Sequence, residues 1–130
     1  LSADASRQML AIRRQQHYLT QLPRYLESNP YAAELNQPQT FWVANKTGSL
    51  SGMRADTGVL ELPGGERFVF CVMNEGSRDQ GFTQENEAEI ANAVIGALLT
   101  EYWWPGDWRA DKIGRPSPHL DAFLSSEAAT

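Results

Sequence analysis

Residues 40–75 constrain the fold most: three β-branched and aromatic runs, TFWVANK, RADTGVLEL and RFVFCVMN, follow one another with only short glycine-containing breaks between them. The Gly48–Gly52 stretch supplies a flexible reversal after the first run, and LPGGER supplies a Gly-Gly hairpin after the second. Three sequential strands predict an antiparallel meander. In the third, Phe68, Phe70 and Val72 alternate with Val69, Cys71 and Met73, so both faces are apolar and both call for cover. Cys71, the only cysteine, is expected inside as a small hydrophobe. Without a second thiol no intramolecular disulfide can form, which leaves the compartment open.

Helical periodicity flanks the meander. Ser2 or Asp4 can cap a helix whose apolar positions Ala5, Met9 and Ile12 recur at i, i+4 and i+7, with Arg7, Arg13 and Arg14 elsewhere. The chain enters this helix within its first residues, as though it continued from upstream sequence, and a signal peptide is either absent or already removed. Pro23, Pro30 and Pro38 rule out a long regular element over 21–39. A second helix, from about Gln84 to Trp103, is expected to cover one sheet face through Ile90, Val94, Ala97 and Leu98. Glu85, Glu87 and Glu89 suit its N-terminal dipole. Residues 105–130 read as an irregular tail, and Trp103, Trp104 and Trp108 as packing residues rather than a ligand platform. The organisation is thus a helix over 1–20, a connector over 21–39, strands with a closing helix over 40–104 and the tail. The fold class is α+β.

Composition removes several function classes. A net charge of −5, with two lysines and no basic cluster, argues against a nucleic-acid partner. The longest apolar run, near Ala93–Leu99, is far too short for a membrane span. His17 and His119 stand in unrelated settings with no second ligand at metal spacing, so neither a metal site nor a cofactor is expected. NKTGS lacks the glycine pattern of a phosphate-binding loop, and the glycines of LPGGER are what a hairpin needs anyway.

The remaining chemistry lies in NKTGSLSGMRAD. Lys46, Thr47, Gly48 and Ser49 close the first run, and Arg54 opens the second. Two cations and two hydroxyls suit an anionic substrate lying along a strand edge, and a residue without a Cβ at Gly48 lets it approach. The backbone N–H of Ser49 could point at a developing oxyanion. On these residues the chain resembles the serine β-lactamases of the penicillin-recognising superfamily, including the peptidoglycan transpeptidases and the β-lactamase 2 hydrolases. Lys46–Thr47–Gly48 is similar to that family's Lys-Thr-Gly motif. The resemblance runs from about Met9 to Tyr102 and covers less than half of a full enzyme. It implies the C-terminal part of a β-lactamase/transpeptidase-like fold, Lys46 and Ser49 in catalytic roles, and Lys46, Thr47, Gly48, Ser49 and Arg54 as substrate-binding residues. It also implies a β-lactam or peptidoglycan-like small substrate and a periplasmic or secreted location. Asp56 fits the Arg-x-Asp that follows and reads as mainly structural.

The departures from the pattern are equally specific. There is no Ser-x-x-Lys in a family-like context, no Ser-Asp-Asn and no Glu-x-x-Leu-Asn loop; Glu34–Asn36 lacks the spacing and follows the helix it should precede. A nucleophile must come from elsewhere, and this polypeptide alone is expected to be inactive. In the family fold two further N-terminal strands pair beside the strand equivalent to RFVFCVMN, which accounts for its second apolar face. The missing upstream part, or a second copy of the chain, is the expected partner on that side. The alternative is a non-catalytic, truncated or diverged module that keeps the scaffold for binding or assembly.

Overall fold

A computed structural model describes residues 1–26, 35–36, 41–62 and 64–103. Helix α1 spans Ala3–Arg13, a 3-10 turn spans Leu22–Tyr25, strands β1, β2 and β3 span Trp42–Leu50, Met53–Glu61 and Arg67–Glu75, and helix α2 spans Glu87–Trp103. The strands form the expected antiparallel meander in the order β1-β2-β3, and the chain is α+β. The tail over 105–130, Trp104, Trp108 and His119 lie outside the described residues, as does most of the connector.

Turn chemistry sets the register. β1 and β2 pair from Trp42 opposite Glu61 to Leu50 opposite Met53, so the reversal is confined to Ser51 and Gly52. Gly52, at φ 71°, adopts the left-handed conformation that this reversal demands. The second hairpin closes with Leu62 N–H donating to the Glu66 carbonyl at 2.8 Å and Gly65 N–H to the Leu62 carbonyl at 2.9 Å. Gly65 also takes a positive φ, of 89°. The first reversal thus falls within the expected Gly48–Gly52 stretch, at its far end, because Gly48 is extended and pairs with Ala55 like any other strand residue.

The register divides the sheet into two unlike faces. Val43, Leu60, Phe68 and Phe70 lie on the inner face and pack against Leu22, Tyr25 and Leu26 of the connector and Ala93 and Ala97 of α2. Burial of this set supplies the main driving force, at about 25 cal/mol per Å² of apolar surface. The outer face carries Ala44, Lys46, Val59, Val69, Cys71 and Met73, over part of which α1 lies. Ser2 caps α1 as expected, its Oγ accepting from Ala5 N–H at 3.2 Å, yet no α1 residue is fully buried and Ile12 is largely exposed. Cys71 is exposed rather than buried. On its face of β3, Val69 borders the space beneath α1, yet Val69, Cys71 and Met73 are all left exposed by the described residues.

Helix α2 begins at Glu87 because Asn86 caps it: the Asn86 side chain accepts from Ala88 N–H at 2.9 Å, and its carbonyl from Ile90 N–H at 3.1 Å. Its buried stripe also differs from the expected one. Ala93, Gly96, Ala97 and Thr100 are buried with Glu89 and Asn92, whereas Ile90 and Val94 are half-buried and Leu98 is exposed. Small side chains win this face because the connector comes so close. A Cβ on Gly96 would collide with the Leu22 carbonyl.

One buried carboxylate joins three elements. Asp56 Oδ2 accepts the backbone N–H of Leu22 at 3.1 Å, and Oδ1 accepts Asn45 Nδ2 at 3.0 Å. Burial pushes its pKa up from an ordinary 3.8 to about 6, against the opposing pull of the bonds from Asn45, Leu22 and Thr57 and of the Lys46 charge. Glu87 is shifted the other way. Bonds from Ser77 Oγ and from the backbone N–H groups of Asp79 and Arg78 hold it below the ordinary 4.5.

Two predictions follow from these contacts. Gly96→Ala in an ordinary helix would add about 0.5–1 kcal/mol; against the Leu22 carbonyl we expect a loss of about 1–3 kcal/mol in urea denaturation, and a stabilised variant would contradict the packing. The raised Asp56 pKa means a contribution to stability that is complete below about 3.8 and lost as pH rises through about 6. Melting temperature should therefore rise between pH 7 and pH 5, and Asp56→Asn should flatten that rise; an unchanged slope in the variant would rule out Asp56 as its source.

Candidate functional site

The Lys-Thr-Gly segment lies inside β1, not at its end, with the strand continuing through Ser49 to Leu50. Among the described residues β1 has a strand on one side only, so its other edge presents backbone donors and acceptors to an incoming group. Strand alternation places Lys46 and Gly48 on the outer face, and Thr47 and Ser49 on the inner face opposite Asp56 and Arg54. Lys46 is exposed and its Nζ donates to the Thr47 carbonyl. A Cβ added at Gly48 would meet only Ala55 Cβ, at 3.7 Å, an ordinary contact. Packing among the described residues therefore does not demand glycine there.

Lys46 lines a cavity of about 400 Å³ between α1 and the outer face. Met9, Leu10, Ala44, Val59 and Val69 make its walls apolar, and Arg13 joins Lys46 among the lining residues, which include no carboxylate. The groove is therefore apolar with positive potential, a combination that suits an anion carrying an apolar group.

Arg54 is placed differently. Its side chain is 1% exposed and faces α2, on the opposite side of the sheet from Lys46. Its guanidinium donates from Nη1 to the carbonyls of Leu50 and Met53, both at 2.8 Å, and from Nη2 to that of Gly81. Nε faces Glu89 Oε2 at 3.4 Å, and the group stacks 5.2 Å from the centre of the Phe82 ring. Arg54 thus clamps the β1–β2 turn onto the loop before α2. The structure does not bring the two cations together.

Around that clamp lies a buried polar layer that the motif gives no hint of. Glu89 accepts from Thr20 Oγ1 at 2.6 Å, Asn92 Nδ2 donates to Gln21 Oε1 at 2.8 Å, and Asn74 Nδ2 reaches Asn92 Oδ1 at 2.8 Å and the Ala88 carbonyl at 2.9 Å. The signal was available in the strands. Asn45, Arg54, Asp56 and Asn74 all occupy positions that period two assigns to the inner face, where apolar residues are the rule.

Among the described residues no three His, Cys, Asp or Glu side chains cluster as metal ligands, and no helix is long and apolar enough to cross a membrane. Neither the curated proteins nor the solved structures contain a match to this chain. The family described as the beta-lactamase enzyme family, Beta-lactamase2, does match, over residues 1–103, a span that includes α1, the whole sheet and α2. With most of its length so matched, the chain belongs to the beta-lactamase enzyme family.

Proposed function

We propose that this chain carries the substrate-anion half of a serine hydrolase site acting on β-lactams or D-alanyl amides, with the nucleophilic serine supplied by another part of the complete protein. Family membership supports a serine-hydrolase-like function and a small-molecule substrate. The observation that carries the finer reading is the exposed Lys46 on a terminal strand, lining a groove without carboxylates and followed by Thr47, Gly48 and Ser49.

A ligand lying along the open edge of β1 meets side chains from both faces. Its carboxylate is held by Lys46 and by the hydroxyls of Thr47 and Ser49. The incoming serine oxygen attacks the amide carbonyl carbon, whose oxygen becomes negative and accepts from Ser49 N–H. One such preorganised donor contributes about 2.7–4 kcal/mol to the transition state. The C–N bond then breaks, the nitrogen leaves with the proton lost by the serine, and water or an amine releases the acyl group. For Arg54, which the resemblance sets at the carboxylate, we propose a positioning part: its donors hold the turn that follows Ser49. Penicillin binding and antibiotic resistance would follow from a β-lactam substrate.

The second reading, a non-catalytic module, is favoured by that same internal commitment of Arg54, which leaves only Lys46 of the motif's two cations at the open edge. A chromogenic β-lactam separates the two. Turnover by this chain mixed with the upstream polypeptide, and not by the chain alone, supports the hydrolase; no turnover in either favours the module. In the complete protein Lys46→Ala should slow acylation about 10²-fold while leaving the melting temperature nearly unchanged, since an exposed lysine adds little to a core. Equal losses of stability and activity would refute its binding role.

A further inference from the structure

We propose that Asp56 is a positioning residue that links anion binding at the Lys46–Ser49 segment to the uptake of a proton: the charged carboxylate weakens the hold on a bound anion, and the neutral acid, bonded to a turned Asn45 amide, strengthens it. This linkage rests on the anion-site reading of that segment. Asp56 and Asn45 are 0% and 1% exposed, so this chain itself encloses both. Asn45 immediately precedes Lys46, and Thr47 stands directly opposite Asp56 in the β1–β2 ladder.

The hydrogen bonds around the carboxylate fix where a proton can go. Oδ2 faces the backbone N–H of Leu22 at 3.1 Å, a donor that cannot turn round. Oδ1 faces Asn45 Nδ2 at 3.0 Å. A hydroxyl on Oδ1 would set donor against donor, and half a turn of the Asn45 amide relieves this by presenting its oxygen instead. That oxygen, Asn45 Oδ1, is buried and has no hydrogen-bond partner. Among the described residues, then, the amide is held in its present orientation by the bond to Asp56, which the proton itself removes. One proton enters from solvent, and Asn45 turns with it.

The charges around Asp56 point the same way. β1 contributes Lys46, whose charge opposes the upward push of burial on the Asp56 carboxyl. Two residues back along β2, Arg54 faces Glu89 of α2 at 3.4 Å, an opposite pair whose fields largely cancel at a distance. β3 sets Val72 opposite Asp56, and the connector offers Leu22 N–H while its Arg24 is taken up by Glu85 at 2.8 Å. An anion bound at Lys46 offsets the lysine charge and adds a negative charge about two strand spacings, roughly 10 Å, from Asp56. It therefore favours the neutral acid. By linkage the neutral acid favours the anion by the same factor, about fivefold at a surface-like dielectric and physiological salt.

The test uses the full 130-residue chain in NMR and in binding titrations with a β-lactam carboxylate between about pH 5 and pH 7.5, a range over which that ligand stays ionised. Without ligand, the Asn45 side-chain NH2 signals and the Lys46–Ser49 amides should titrate together with a midpoint of about 6. Saturating ligand should raise that midpoint by about 0.7 of a pH unit, the logarithm of the fivefold factor, and the dissociation constant should be about fourfold lower at the acid end of the range. Asp56→Asn presents an amide N–H where the acid carries its hydroxyl, so the variant should bind throughout the range as the native chain binds at the acid end. Should circular dichroism show the variant unfolded, the ligand-induced rise of the midpoint in the native chain decides alone. Binding that ignores pH, or a midpoint that ligand leaves in place, overturns the linkage and spares the anion-site reading. So does a pH dependence that persists in folded Asp56→Asn, since the proton then belongs to another group. No binding at any pH overturns both.

Discussion

The position of the candidate site depends on one buried carboxylate. Asp56 has no ion-pair partner among the described residues, so its charge is met by hydrogen bonds from Leu22 N–H and Asn45 Nδ2. Those bonds fix the connector to the sheet, and they fix Asn45, the residue immediately before Lys46. Desolvation is the cost, expressed in a carboxyl that titrates near 6. A neutral residue could tie the same elements with less penalty. A carboxylate, however, accepts from two directions and adds negative potential one residue away from a lysine.

The inner face of the sheet accordingly divides along the strands. At the Val43, Leu60 and Phe70 end the layers meet through apolar side chains, and this end supplies most of the stability. At the Ser49 and Arg54 end they meet through Asp56, Arg54, Glu89, Asn74 and Asn92, where geometry is set by hydrogen bonds. Buried polar networks add little net stability, yet they are costly to disrupt and so specify one arrangement. That polar end adjoins the Lys46–Ser49 segment, and rigidity is of most use there.

The meander was legible because alternation and glycine turns are local signals. Three strands, their order and the two-sided character of β3 follow from them. The first turn was legible only as the Gly48–Gly52 stretch: Gly48 is an extended residue paired with Ala55, and the reversal itself is made by Ser51 and Gly52. The buried stripe of α2 was not legible because Gly96 and its small neighbours serve a close helix–connector approach, which hydrophobicity does not report. Cys71 follows the same logic in reverse. A strand apolar on both faces predicts cover on both, and within the described residues only one is covered. At the site, the spacing of Lys46 and Arg54 concealed their opposite faces, which a count along the strand would have revealed.

Amide-resolved NMR of the chain titrated with a β-lactam tests the central claim most directly, that the open edge of β1 reads an anion through Lys46. Shifts concentrated on Lys46–Ser49 in the native chain, and absent in Lys46→Ala, are the predicted result. Shifts elsewhere on the sheet, or an identical response in the variant, would contradict it.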